Sequence, residues 1–389
     1  MCPVLEFKNV HYAYPNSPSS LNGVNFSIRK GTKVALVGPN GAGKTTLLLM
    51  CNGILRPDEG TVVFNGEQIR YDRASLREVR KKIGLVFQNS DSQLFAPTVY
   101  QDVAFGPVNL GMDKQEVKIL VTQGLNAVGL AGYERRPPHQ LSGGEKKRAA
   151  IAGILVMEPE VLIFDEPTSS LDPTGAADLM ELLDELNTQG KTIIISTHDV
   201  ELAYNWADDI ILMNHGVIVH QGLPEAVFTD PQLIMTTSLR TPAIIEIYTE
   251  LVARKMLDAR GAPKSVLHLV NILEQRFNHR EHTGDYGSIT VCDVDAVPVD
   301  IIHAWLDRFP AYRRGAMGSQ AKSLAEREKI ALDFTYGVID KCILRALIGE
   351  SSVILTSVGM VKRVERRVLA FDEESGIRIP VHMLEAGNS

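Results

Sequence analysis

The eight residues Gly38-Pro39-Asn40-Gly41-Ala42-Gly43-Lys44-Thr45 lie between an apolar β-branched run, Val34-Ala35-Leu36-Val37, and a helix-forming run, Thr46-Leu47-Leu48-Leu49-Met50. A buried strand therefore feeds a glycine-rich loop that opens a helix, and this arrangement belongs to α/β folds. In that setting backbone N–H groups and the positive end of a helix dipole cradle polyphosphate. The glycines let the backbone close around oxygens, Lys44 reaches the β- and γ-phosphates, and the Thr45 hydroxyl suits Mg²⁺. A plain surface turn carrying a lysine would need neither flanking element.

At 389 residues the chain exceeds one average domain, so two or three are expected. Hydrophobic residues make up 44% and charged residues 22%, as in ordinary globular proteins, and a net charge of -7 offers nucleic acid or anionic lipid no general attraction. Cys2, Cys51, Cys292 and Cys342 show neither paired nor CxxC spacing, which points to a reducing compartment rather than a disulfide framework or zinc site. Met1 to Val10 carries Glu6 and Lys8, unlike a signal peptide. No apolar run reaches the roughly 18 residues needed to cross a bilayer, so any membrane work falls to a partner chain.

Taken in order, Val4 to Val10 reads as an antiparallel edge strand, followed by Tyr12, Tyr14 and Pro15. Tyr14 fits either a nucleobase stack or the cap of a small core. Leu21 to Ile28 and Thr61 to Asn65 add strands, Arg73 to Lys82 a charged helix, and Ile83 to Phe87 a buried strand with Gln88 at its end. An amide there faces the crevice where parallel sheets collect ligands. From Asn89 to about Pro159 the composition turns to a helical insertion, with Gly106, Pro107 and Gly111 as breaks and helices at Lys114 to Val128 and Glu145 to Met157. The second of these follows Leu141-Ser142-Gly143-Gly144-Glu145, another capped, glycine-rich helix start suited to phosphate. Two such loops far apart in one chain can each complete a site on a second chain.

Val161-Leu162-Ile163-Phe164 is a strand that delivers Asp165 and Glu166 into the same crevice. Asp165 suits Mg²⁺ held through water, and Glu166 suits orientation or deprotonation of the water that attacks the γ-phosphate. Ser169-Ser170-Leu171-Asp172 precedes a helix through Leu186; Lys191 to Thr197 is a strand that presents His198 to the γ-phosphate. Asp209 to Met213 and Val217 to His220 form a hairpin around Gly216.

These segments together are similar to the ordered motif set of ABC-type ATPases: Walker A (Gly38 to Thr45), Q-loop (Gln88), signature (Leu141 to Glu145), Walker B (Val161 to Glu166), D-loop (Ser170 to Asp172) and switch histidine (His198). Glu145 stands where many members have glutamine. The stretches Gln93 to Val99, Asp102 to Pro107, Leu141 to Arg148 and Gly222 to Phe228 narrow the resemblance to energy-coupling-factor importers, especially the ATPase of cobalt and nickel uptake. The resemblance covers about the first 277 residues.

It implies an α/β, P-loop ABC-type nucleotide-binding domain at 1–236, with a mixed sheet core, an antiparallel β subdomain and a helical subdomain at about 89–159. A helical tail at 237–279 and a further small α/β domain at 280–389 follow. It implies ATP and Mg²⁺, nucleotide contacts from Tyr14, Gly38 through Thr46, Gln88, Ser142, Gly143, Gly144 and Asp172, Mg²⁺ contacts from Thr45, Gln88 and Asp165, and catalysis by Glu166 and His198. The implied partners are a second ATP-binding subunit, identical or a close paralogue, paired head to tail, an integral membrane coupling protein and a substrate-binding membrane protein. Nucleic acid is not among them, and the location is the cytoplasmic side of the cell membrane, peripherally bound.

A soluble ABC ATPase acting on ribosomes or DNA is the competing class. Ribosomal members carry tandem nucleotide domains and repair members a long coiled coil, whereas this chain has one Walker loop and a short interval interrupted by Gly106, Pro107 and Gly111. Beyond Arg280 the family likeness ends. Ser288 to Val291 and Val353 to Leu355 read as strands, Val299 to Phe309 and Ile330 to Ile348 as amphipathic helices, and Val361 to Arg367 as an exposed basic helix face. His279, His282 and Asp285 fit a metal cluster or a polar linker, and the domain fits ligand sensing or dimer extension.

Overall fold

The structure, a computed structural model, describes residues 3–15, 19–237, 239–259, 261–277 and 286–384. His279, His282 and Asp285 lie outside the described residues. Two compact units emerge, one of residues 1–172 and 190–264, the other of residues 173–189 and 265–389.

In chain order the first unit runs β1 (Pro3–Ala13), β2 (Ser19–Arg29), β3 (Lys33–Val37), α1 (Lys44–Cys51), β4 (Glu59–Phe64), β5 (Glu67–Gln68), α2 (Arg73–Lys82), β6 (Ile83–Val86), α3 (Val99–Asn109), α4 (Lys114–Ala127), α5 (Gly143–Leu155) and β7 (Val161–Asp165). The chain leaves it for α6 (Pro173–Thr188). It returns with β8 (Thr192–Thr197), α7 (Val200–Trp206), β9 (Asp209–Asn214), β10 (Val217–Gly222), α8 (Pro224–Phe228), α9 (Pro231–Thr237) and α10 (Ala243–Ala253).

Strands β10-β9-β3-β8-β7-β6 form one sheet, parallel except for the hairpin partner β10. All residues of β6, β7 and β8 are buried, as expected of parallel strands covered on both faces, which read as unbroken apolar runs. Because β3, β8, β7 and β6 all run the same way, the chain segments that follow them leave from one edge of the sheet. The second sheet, β2-β1-β4-β5, is antiparallel. Its Phe7 and Phe26 stack at 4.5 Å and share a core with Leu47 and Leu48 of α1 and Ile163 of β7. Each such buried side chain contributes about 1.5–3 kcal/mol.

In the first unit two sequence expectations change. β1 is an interior strand, paired on both sides by β2 and β4, rather than an edge; alternation along a strand records which face is buried but says nothing of how many neighbours it has. The breaks at Gly106 and Pro107 lie inside α3, whose Thr98 cap accepts from the Gln101 amide. Gly106 is there for packing, since a Cβ would stand 2.7 Å from Met157 Sδ.

The second unit contains α6, α11 (Val266–Phe277), β11 (Ile289–Asp293), α12 (Val299–Arg308), β12 (Arg313–Ala316), α13 (Ser319–Arg327), α14 (Val338–Leu347), β13 (Ser352–Thr356), α15 (Val358–Ser375) and β14 (Val381–Leu384). Its sheet, β12-β13-β11-β14, is wholly parallel. Alternate residues serve its two faces: Ile354 packs with Met360, Val364 and Phe371, while Val353 and Leu355 pack with Ile302, Leu306 and Leu324. The helix expected from Ile330 begins only at Val338, after Gly337 in the left-handed region. Val361 to Arg367, expected as an exposed basic face, lies within α15 with Val364 buried and with Arg363 and Arg367 paired to Asp184 and Asp340. Among the described residues no helix is long and apolar enough to cross a membrane.

Candidate active site

Strand β3 ends where the glycine loop begins, and backbone geometry accounts for two of the glycines. A Cβ on Gly38 would lie 2.3 Å from the Met213 carbonyl of β9. Gly43, which caps α1, has φ 101°, a conformation that side chains rarely adopt. The Lys44 ammonium folds over the loop and donates to the Gly38 and Pro39 carbonyls at 2.6 and 3.1 Å. Burial lowers its pKa from the ordinary lysine value, while Glu166 and Asp165 partly hold it up.

A cavity of about 360 Å³ opens over this loop, lined by Ser20, Asn40, Gly41, Ala42, Gly43, Lys44, Thr45, Thr46, Gln88, Asp165, Glu166 and His198. Four strand ends supply it: β3 the loop, β6 Gln88, β7 the carboxylates and β8 the histidine. The Thr45 hydroxyl donates to Asp165 Oδ2 at 2.8 Å, so the hydroxyl and carboxylate expected at a cation meet at one point. His198 Nδ1 lies 3.0 and 2.9 Å from the two Glu166 carboxylate oxygens. Glu166 itself has φ 46°, and a non-glycine residue stays in that region only when its surroundings hold it there. Tyr14 is not among the residues that line the cavity; its hydroxyl lies 3.4 Å from Oγ1 of Thr46, which is, and its ring is edge-on to Tyr12. At 37% exposure it does not cap a buried core.

Ser142, Gly143, Gly144 and Asp172 are not in this cavity. Ser142 caps α5 in a reciprocal box: its hydroxyl accepts from the Glu145 amide at 3.3 Å, and Glu145 accepts from the Ser142 amide at 2.7 Å. Glu145 also accepts from the Tyr133 hydroxyl, so the departure from glutamine has a structural use. Cβ atoms built on Gly143 and Gly144 would lie 3.9 Å from Ser170 O and Leu171 Cδ2, which puts this helix start beside the 169–172 segment of the same chain.

Three contributors escaped the sequence reading. Ser20, at the start of β2, lines the cavity. Ser196 of β8 donates to Asp165 and accepts from the Glu166 amide, fixing both acids from the neighbouring strand. Lys147 of α5 is 3% exposed and donates to the Gln88 carbonyl at 3.1 Å. Burial pushes its ammonium down to about 8, against the upward pull of Asp165 and Glu166. In sequence it sits in Glu145-Lys146-Lys147-Arg148, where residue type alone does not set it apart from its charged neighbours; the helical period that places it inward was the available signal.

A phosphate-type loop, a Thr–Asp pair, a strand-end glutamate and a facing histidine together define a P-loop nucleotide-binding domain. The ABC transporter family pattern matches residues 21–169. Over 386 residues, 99% of this chain and 97% of the relative, it is 52% identical to the energy-coupling factor transporter ATP-binding protein EcfA2 of Methanospirillum hungatei, so the likeness expected to end near residue 277 runs on through the C-terminal region. The structure is similar to CbiO1 of Clostridium perfringens, described as part of the ABC transporter complex cbiONQ, with TM-score 0.56 and 41% identity over 64% of this chain and 99% of that one. It is also similar to the dimeric ATP-binding cassette MJ0796 bound to ADP and Pi, with TM-score 0.51 and 30% identity over 57% of this chain and 98% of that one.

The chain belongs to the ABC ATPases, within them to the ATP-binding subunits of energy-coupling factor transporters. The expected α/β P-loop fold with an additional C-terminal α/β region is the fold observed.

Proposed function

We propose that this chain is the energy-supplying subunit of an import complex, an ABC domain at 1–236 with a tail at 237–279 and an added domain at 280–389, bound peripherally to the cytoplasmic face of the cell membrane. The observation that carries this reading is the division of the motif set. Walker loop, Gln88, Asp165, Glu166 and His198 share one cavity, whereas Ser142, Gly143 and Gly144 cap a helix outside it. A second ATP-binding subunit paired head to tail then completes each site, with Asp172 at the seam. The similarity to a dimeric cassette bound to ADP and Pi supports that pairing.

In this reading Lys44 and the loop amides hold the β- and γ-phosphates, and Tyr14 stacks on the base. Glu166 orients the attacking water and takes its proton, and His198 stays in register with Glu166 while facing the γ-phosphate. Thr45, Asp165 and Gln88 fit Mg²⁺, because a hydroxyl, a carboxylate and an amide oxygen are the hard oxygen donors it prefers and the first two already meet at 2.8 Å. When bound, Mg²⁺ would offset the charge that gathers on the phosphate oxygens. Hydrolysis reopens the pair, a population shift between two conformations that a membrane partner converts into motion.

The surface offered to that partner contains Phe95 and Phe105, 65% and 50% exposed, with their rings edge to face at 4.8 Å. Contiguous exposed apolar patches mark interaction sites. Cobalt or nickel as cargo rests on the resemblance of Gln93 to Val99 and Gly222 to Phe228 to the ATPases of cobalt and nickel uptake.

Expressed with its neighbouring membrane-protein genes, the chain is expected to sediment with membranes. The Phe95→Asp, Phe105→Asp double variant should move to the soluble fraction with its ATPase activity intact. Sedimentation with ribosomes, independent of the membrane proteins, would favour the soluble class instead.

A further inference from the structure

The helix that follows the catalytic segment, α6, belongs to the second unit, together with the C-terminal α/β domain. Its sequence carries Asp178, Glu181, Asp184 and Glu185 at helical spacing, and each of them meets the domain. Lys322 of α13 lies 2.7 Å from both Asp178 and Glu181. Arg363 of α15 pairs with Asp184 at 2.5 Å. The Ser357 hydroxyl donates to Glu185, and the Gly318 amide donates to Glu181, each at 3.4 Å.

These contacts are not surface decoration. The side chains of Lys322, Glu181 and Asp184 are 17%, 13% and 10% exposed. Burial raises the Glu181 and Glu185 carboxyl pKa values, and Lys322 opposes that rise at Glu181. Gly318 and Ser357 follow β12 and β13, and they cap α13 and α15. In parallel sheets that edge collects ligands, and helix starts favour negative charge. Here carboxylates of the chain's own helix take the position.

Upstream of α6 the backbone is strained at two points. Glu166 has φ 46° and Ser170 φ 67°, and the turns between them are tied by the Ser169 amide and hydroxyl to the Glu166 carbonyl. Such conformations persist only where the surrounding structure over-determines them. Pro173, the first residue of α6, follows Asp172 directly, so the helix that carries the ion pairs continues the strained segment without a break.

We propose that the C-terminal domain anchors α6, making Lys322 and Arg363 positioning residues for ATP hydrolysis that act through α6 on the segment from Glu166 to Asp172. This rests on the reading of Glu166 as the residue that orients water. Loss of either cation lets the segment relax and moves Glu166 off its water, while the phosphate loop is untouched.

The test uses the full chain and follows steady-state hydrolysis, equilibrium ATP binding and folding by circular dichroism. Arg363→Glu is expected to lower kcat about ten- to a hundredfold, the usual consequence of misplacing a reacting group by about an ångström. KM and Kd for ATP stay within about twofold. Adding Asp184→Arg to Arg363→Glu restores the pair with its charges exchanged and brings kcat back. If Arg363→Glu fails to fold, Lys322→Gln is read in the same way.

A folded variant that keeps wild-type kcat overturns the anchor, as does a loss shared equally between binding and turnover or a swap that restores nothing. Glu166→Gln assayed alongside separates the two readings. If Glu166→Gln is inactive while Arg363→Glu turns over normally, only the anchor fails. If Glu166→Gln hydrolyses ATP normally, the reading beneath it fails.

Discussion

Glu166→Gln is expected to bind ATP as tightly as the wild-type chain and to hydrolyse it about 10²–10⁴ times more slowly, the usual contribution of a positioned general base. The amide keeps the size and most of the hydrogen-bonding reach of the carboxylate, so its contact with His198, 2.9 Å in the wild type, has a stand-in. What it loses is the capacity to accept a proton from water. Because Glu166 is 9% exposed, solvent cannot readily replace that capacity. Steady-state phosphate release and nucleotide equilibrium binding check the two halves separately. Hydrolysis at the wild-type rate would remove Glu166 from the role.

Lys44→Ala is expected to fail earlier in the cycle, at binding. Lys44 is 7% exposed and its ammonium sits over the loop carbonyls of Gly38 and Pro39, where a hydrogen bond to a charged phosphate group contributes about 1.5–3 kcal/mol. That corresponds to about a ten- to hundredfold rise in Kd for ATP, since each 1.4 kcal/mol is about tenfold. Titration of a fluorescent ATP analogue measures the change directly. A Kd unchanged from wild type would show that the loop amides alone hold the phosphates.

The sequence announced the centre of this site because each element there is short, buried and punctuated. Val34 to Val37 and Val161 to Phe164 are apolar throughout, and such strands in an α/β chain end at a common edge. Glu166 and His198 therefore read as neighbours although 32 positions separate them. The supporting contacts were hidden for a different reason. Ser196 looks like any strand serine until β8 is known to lie beside β7, and Lys147 looks solvated until α5 is turned so that it meets Gln88.

The same limit applied to β1, whose two pairing partners lie later in the chain. It applied most strongly to α6, which the sequence places between Walker B and the next strand, and which packs in the unit of residues 265–389. Nothing in Asp178, Glu181 or Asp184 marks Lys322 and Arg363 as their partners. Acidic faces of helices are ordinarily solvated.

Mixing two inactive forms of the chain tests the shared site most directly. Lys44→Ala leaves an intact Ser142 helix start, and Ser142→Arg leaves an intact phosphate loop. Each form alone has two broken sites per pair. In a mixed pair, one interface joins the sound loop of one copy to the sound helix start of the other. ATP hydrolysis is expected to appear on mixing, well above the sum of the separate rates; a mixture no faster than that sum would contradict a nucleotide held between two copies.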